Sequence, residues 1–155
     1  MSYHLVQVNV ALAVANFDDS ALTGLTERIA EINALAERSL GFVWRFQPSA
    51  GDLDYLRPFD DYFSPFDPKR IFFNMSVWQT PEDLKNYVFR SAHLELFRQK
   101  DKWMTAFERP HLAMWWVRAG HVPSVEEGKE KLLLIERNGP TASAFTFAKL
   151  FPQPA

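Results

Sequence analysis

The stretch IFFNMSVWQTPEDL, Ile71 to Leu84, holds a strand and the opening of a helix. Ile71, Phe73, Met75 and Val77 form one wholly apolar face, while Phe72, Asn74, Ser76 and Trp78 mix rings and polar groups on the other, the two-residue period of a strand. Thr80 then stands as an N-cap, Pro81 fits the first helical position, and Glu82 and Asp83 sit where the helix dipole favours negative charge. A strand with one wholly apolar face that runs into a capped helix belongs to a mixed α and β fold in which another layer covers that face.

Working towards the amino terminus, Val6, Val8, Val10 and Leu12 alternate with Gln7, Asn9 and Ala11, which predicts a first strand. From Ser20, read as an N-cap, to about Arg38, the residues Leu22, Leu25, Ile29, Ile32 and Ala36 recur at helical spacing. Gly41 is a plausible stop, and FVWRFQ reads as a second strand. Between it and Ile71 lies Pro48 to Arg70, with four prolines, five aspartates and five aromatics. Proline removes backbone donors and bends the chain, so this segment is a long loop, either a cover for something or a surface excursion pinned by its own rings. Its aspartates lack the ligand spacing and fixed glycine of a calcium loop.

Towards the carboxyl terminus, the helix from Thr80 is expected to kink near Ser91 and continue to about Phe107. HLAMWWVR follows as a strand apolar on both faces, with Leu112, Met114 and Trp116 on one and Ala113, Trp115 and Val117 on the other. Ser124 with Glu127 three residues later reads as a capping box for a last helix ending at Asn138, Gly139 and Pro140, and SAFTFA as a short final strand. The order strand, helix, strand, strand, helix, strand, then helix and strand predicts an α+β, ferredoxin-like βαββαβ fold in one domain, 1–155, with a C-terminal helix and short strand. With two helices assigned to one side of the sheet, the other side is expected to meet a second copy in a face-to-face homodimer.

Composition narrows the function classes. The net charge of −2 and a pI near 6.1 offer no basic face for nucleic acid. There is no cysteine, hence no disulfide or thiolate chemistry, and no apolar run near the roughly 20 residues that span a bilayer, so a cytoplasmic protein without a membrane partner is expected. The aromatic content of 15% suits a core, an interface or a ligand pocket.

If the apolar face of each strand lies under the helices, Gln7, Asn9, Asn74, Ser76 and Trp78 share the opposite face, with Arg45 joining them from the second strand. Amides and a hydroxyl among rings are what a pocket for a hydrophobic small molecule needs, and equally what a polar subunit interface needs. Trp116 is the aromatic ligand-binding candidate of the fourth strand. His121, at a strand end, is the acid–base candidate, with Asn9 and Arg45 as catalytic partners; its structural alternative is a hydrogen bond across the turn. No H-E-x-x-H, nucleophile-elbow or glycine-rich phosphate motif occurs.

The strings INALAERSLGFVWRF, FFNMSVWQTPEDLKNYVFRSAH, HLAMWWVRAGHVPSVEEG and GPTASAFTF resemble an uncharacterised bacterial domain-of-unknown-function family of dimeric α+β-barrel type. More distantly, the layout is similar to the antibiotic-biosynthesis monooxygenases and the small haem-degrading monooxygenases. The likeness to the antibiotic-biosynthesis monooxygenases implies a cofactor-independent, monooxygenase-like enzyme acting on a flat apolar molecule. The likeness to the haem-degrading enzymes implies an alternative in which haem is ligated by His93 near Asn9, although the helical tryptophan of those enzymes is unmatched: Tyr87 occupies the helix and Trp78 the preceding strand. A third alternative is a non-catalytic dimeric interaction module.

Overall fold

The computed structural model describes residues 2–49 and 51–155, apart from the side chains of Ala92, Leu96 and Phe97. In chain order it comprises β1 (Tyr3–Ala13), α1 (Thr23–Arg38), β2 (Phe42–Arg45), β3 (Ile71–Trp78), α2 (Pro81–Arg90), α3 (Ala92–Arg98), β4 (Met104–Thr105), β5 (Leu112–Arg118) and α4 (Val125–Asn138). The main strands lie in the order β2-β3-β1-β5, all neighbours antiparallel, and β4 pairs with the far end of β1. This is the ferredoxin-like α+β arrangement, with β1 central because it alternates without a proline or glycine over its whole length.

Register assigns the two faces. Val6, Val8 and Val10 lie beside Val77, Met75 and Phe73 on one flank and beside Trp115 and Ala113 on the other. Leu5, Gln7 and Asn9 lie beside Trp78, Ser76 and Asn74, and beside Trp116, Met114 and Leu112. The first, apolar face packs under α4 and the loop, where Leu56, Phe59, Tyr62, Phe63 and Leu132 complete its core. The second packs under α1 and α2, with Ala36, Leu84, Tyr87 and Val88 against Leu5, Trp78 and Met114. The expected sides are therefore exchanged: the helices that open the fold cover the polar face. The apolar face had a better cover in the chain, since α4 approaches so closely that a Cβ on Gly128 would stand 3.2 Å from Val8 and 3.5 Å from the Met75 sulfur.

This packing removes the reason for a face-to-face dimer, because Val6, Val8, Val10 and Met75 are fully buried within one chain. The segment Pro48–Arg70 is part of that cover. It folds into 3-10 turns at Asp54–Phe59 and Pro68–Arg70, and is tied to α4 by Lys129–Asp61 at 2.6 Å. Arg109 makes a two-pronged pair with Glu136 at 2.8 Å on each arm, and its guanidinium lies 3.9 Å from the Tyr62 ring centroid.

Three element boundaries differ from those expected. Asp19, not Ser20, is the first cap, holding a 3-10 turn at Ser20–Leu22 before α1. The helix after Thr80 breaks at Ser91 as expected but stops at Arg98, because Trp103 turns back to pack on Ala13, Leu22 and Leu25 while its carbonyl accepts from the Val14 amide. SAFTFA is not a strand: Phe145 makes one bridge to Met114, and the chain then folds back through turns so that Phe147, Leu150 and Phe151 cover the β5 end of the helix-facing layer. Gly41, between α1 and β2, adopts φ +84, and a Cβ there would lie 2.0 Å from the Asp83 carboxylate.

Candidate functional site

The helix-facing side of the sheet carries a row of polar side chains among rings. Gln7 Nε2 donates to Asn74 Oδ1 at 2.6 Å and to Ser76 Oγ at 2.8 Å, and the Trp78 indole N–H donates to the same Ser76 oxygen at 2.8 Å. Period-two geometry brings them together: Gln7 faces Ser76 across the β1–β3 ladder, and Asn74 and Trp78 flank Ser76 on the same side. Gln7 and Ser76 are each only 6% exposed, whereas Asn74 and Asn9, which face each other one step along, are half-buried. The row thus runs from a sealed end at Trp78 towards an open end at Asn9.

Above the sealed end, the Tyr87 ring stacks on Trp78 at 5.1 Å and touches the His93 ring at 5.0 Å. Tyr87 donates its hydroxyl to the Ile32 carbonyl of α1 at 3.2 Å, and burial raises its pKa beyond the ordinary tyrosine value. His93 lies at the break between α2 and α3, with Nδ1 at 3.3 Å from the Val88 carbonyl. A carbonyl can only accept, so Nδ1 carries the proton, and in the neutral ring Nε2 keeps its lone pair. Burial pushes the His93 pKa below its ordinary value, which favours this neutral form.

The sequence-predicted residues divide between two places. Gln7, Asn74, Ser76 and Trp78 form one network, and Asn9 shares their face without a side-chain hydrogen bond among the described residues. Arg45 lies beside Ser76 in register, but its guanidinium is held by Glu37 of α1 at 2.8 Å. Trp116 lies on the same side beside Leu5 and donates its indole N–H to the Phe151 carbonyl at 2.9 Å. His121 is elsewhere. It follows β5, whereas Asn9 faces Leu112 at the start of that strand, a separation of roughly 20 Å at about 3.3 Å per residue. The predicted trio of His121, Asn9 and Arg45 is not one site.

His121 has a local partner instead, with Nε2 at 2.8 Å from Glu127 Oε1, while the other Glu127 oxygen accepts the Trp115 indole N–H at 2.8 Å. The capping box is half formed as a result. Ser124 accepts from the Glu127 amide at 3.1 Å, but the Glu127 carboxylate turns to Trp115 and His121 rather than back to the cap. The Tyr87 and Val88 contacts to Trp78 and His93 had no sequence signal of their own, since both residues read simply as part of a helical stripe.

Among the described residues, no group of three His, Asp or Glu side chains is placed to hold a metal ion, and no helix is long and apolar enough to cross a membrane. A shallow groove at Phe59, Phe63, Pro65, Phe66 and Ile71 lies on the loop side, away from every predicted site residue.

Comparison with solved structures places the fold beside proteins of low identity. The protein of unknown function NE2512 from Nitrosomonas europaea is 12% identical with a TM-score of 0.50, the alignment covering 79% of this chain and 96% of that one. PA3566 from Pseudomonas aeruginosa is 11% identical (TM-score 0.49, 78% and 98% covered), and SnoaB, a cofactor-independent oxygenase from Streptomyces nogalater, is 11% identical (TM-score 0.46, 78% and 97% covered). These are likenesses of fold alone. No curated protein matches the chain. The family described as "Domain of unknown function (DUF3291)" matches residues 4–155, nearly the whole length, and this chain belongs to it.

Proposed function

We propose that this chain binds a flat hydrophobic or aromatic small molecule against the helix-facing side of its sheet, at the half-buried end marked by Asn9 and Asn74. The observation that carries this reading is the Gln7 network: a few oriented amide and hydroxyl groups set among Leu5, Met114, Trp78 and Tyr87. Structural satisfaction alone would close such a network on itself, yet Asn9 and the free ends of Asn74 and Gln7 have no partners among the described residues.

The cofactor-independent, oxygenase-like turnover that the sequence resemblance implies would act on a molecule bound at this end of the row. Haem fits poorly here. His93 has a ring nitrogen on the side away from Val88, but Trp78 is fully buried beneath Tyr87 and cannot flank a macrocycle. The dimeric habit of similar barrels is kept as a proposal with a changed contact, one that leaves the α4-covered face closed.

The reading is tested by native mass spectrometry of protein purified gently from cells, alongside a Gln7→Leu variant that keeps volume but removes the network. Extra mass on the wild type that is missing from Gln7→Leu supports it. Equal loading of both, or none on either with no binding of aromatic probes in solution, sinks it and leaves the interaction module.

A further inference from the structure

The hydrogen-bond inventory of the polar row can be closed atom by atom, and what is left over describes a ligand. Gln7 Nε2 has two hydrogens, and both are committed, one to Asn74 Oδ1 at 2.6 Å and one to Ser76 Oγ at 2.8 Å. That leaves Gln7 Oε1 as an unused acceptor. Asn74 has spent its oxygen on Gln7, so its NH2 offers two donors. Ser76 Oγ accepts twice, from Gln7 and from the Trp78 indole, so its own hydroxyl proton points elsewhere as a donor. None of these three free ends has a partner among the described residues. Gln7 Oε1 and Asn74 Nδ2 are not sealed in either: among those residues the one side-chain polar atom that is both closed off from solvent and unpartnered is His4 Nδ1, which lies on the opposite face beside Val117. Gln7 Oε1 and Asn74 Nδ2 are therefore not closed off from solvent.

We infer that this site recognises a ligand edge on which a hydrogen-bond acceptor stands next to a donor, as in a lactam, a carboxamide or a hydroxy-ketone. The inference rests on the proposed small-molecule site and adds the polarity of its occupant. The acceptor meets the Asn74 N–H, and the donor meets Gln7 Oε1. Charge makes the choice sharper. A carboxylate would satisfy the donors but set an anion against Gln7 Oε1, and Arg45, the cation beside Ser76 in register, is already paired with Glu37 at 2.8 Å. A purely apolar ring would leave groups on Gln7 and Ser76 desolvated and unmet, a penalty that grows with their burial.

Three probes of the same flat body separate these cases: isoquinolin-1(2H)-one, which has a carbonyl beside an N–H; its N-methyl derivative, which has the carbonyl alone; and naphthalene, which has neither. Binding is followed on the side-chain amide signals of Gln7 and Asn74 by NMR. The lactam is expected to bind about tenfold more tightly than its N-methyl derivative, the worth of one buried hydrogen bond. Asn74→Asp keeps the oxygen that Gln7 needs and turns the free NH2 into an acceptor, so it should weaken binding of the two carbonyl probes several-fold more than that of naphthalene. If all three probes bind the wild type alike, or the variant binds the carbonyl probes undiminished, the edge inference is wrong and the apolar site stands. If naphthalene also fails to bind, the small-molecule reading beneath it fails as well.

Discussion

Ser76 is the residue on which the polar row depends, because one oxygen serves two donors from two different strands. Ser76→Ala leaves Gln7 and the Trp78 indole each short of an acceptor in a buried place, so a loss of about 2–4 kcal/mol is expected in chemical denaturation, with Ser76→Thr recovering much of it. His93 ties stability to pH. Its folded pKa lies below its ordinary value of 6.5, so the unfolded chain takes up the proton first as pH falls. The stability it contributes is complete above the unfolded value and is lost as the pH drops from there through the folded one. Between pH 7 and pH 5 the wild type should lose more stability than His93→Gln, and identical slopes would show that the ring is not held neutral. At the opposite end of β5, His121 is 47% exposed in its side chain and hangs on Glu127, which is also bonded to buried Trp115. His121→Ala should therefore cost under about 1 kcal/mol, and Glu127→Ala about 1–2 kcal/mol, because only the second strips a buried indole of its acceptor. A His121→Ala protein that keeps its stability and still turns over a ligand would leave this histidine outside the chemistry.

Among the elements, the strands were legible because alternation is local: Val6 to Leu12 and Ile71 to Val77 declare their apolar sides without knowledge of the rest of the chain. Where the sequence misled, a distant partner decided. The stripe after Thr80 runs on in sequence through Trp103, yet that ring is claimed by α1, and Gly24 gives it room with a would-be Cβ 3.3 Å away. Which helices cover which face could not be read from alternation, since both faces of the sheet are rich in rings and the polar one satisfies itself through Gln7 and Ser76. The signal for the true partner of the apolar face was a glycine inside a helix. Gly128 carries no side chain in the second turn of α4, which lets that helix seat on Val8 and Met75. Gly128→Ala gains helix propensity of roughly 1 kcal/mol but drives a methyl into a closed contact, and the overpacking term of about 1–3 kcal/mol is expected to win. A melting temperature that rises on this substitution would show that α4 has slack against the sheet.

At the scale of the molecule, two covers sandwich one sheet, and they differ in kind. The α4 and loop cover is apolar, aromatic and strapped by Lys129–Asp61 and Arg109–Glu136; the α1 and α2 cover encloses the polar row and opens at Asn9. An antiparallel sheet with one bare face would have to borrow a second copy for shelter, but here each chain brings its own, so the self-association we propose would use outer surfaces. The proposed homodimer then differs in a measurable way from a face-to-face barrel. If two copies met through the sheet, α4 and the turn at Asp54–Phe59 would have to lift away, and their amides would exchange faster in the dimer than in the monomer. With the contact placed outside, dilution across dissociation should leave hydrogen exchange of α4 and of the Phe59–Phe63 segment unchanged, while protection falls only in a surface patch. Native mass spectrometry supplies the stoichiometry and exchange at two concentrations supplies the location. A dimer whose formation exposes α4 would mean that Gly128 and the two ion pairs hold a cover made to open, and an absence of dimer at tens of micromolar would end the proposal of self-association.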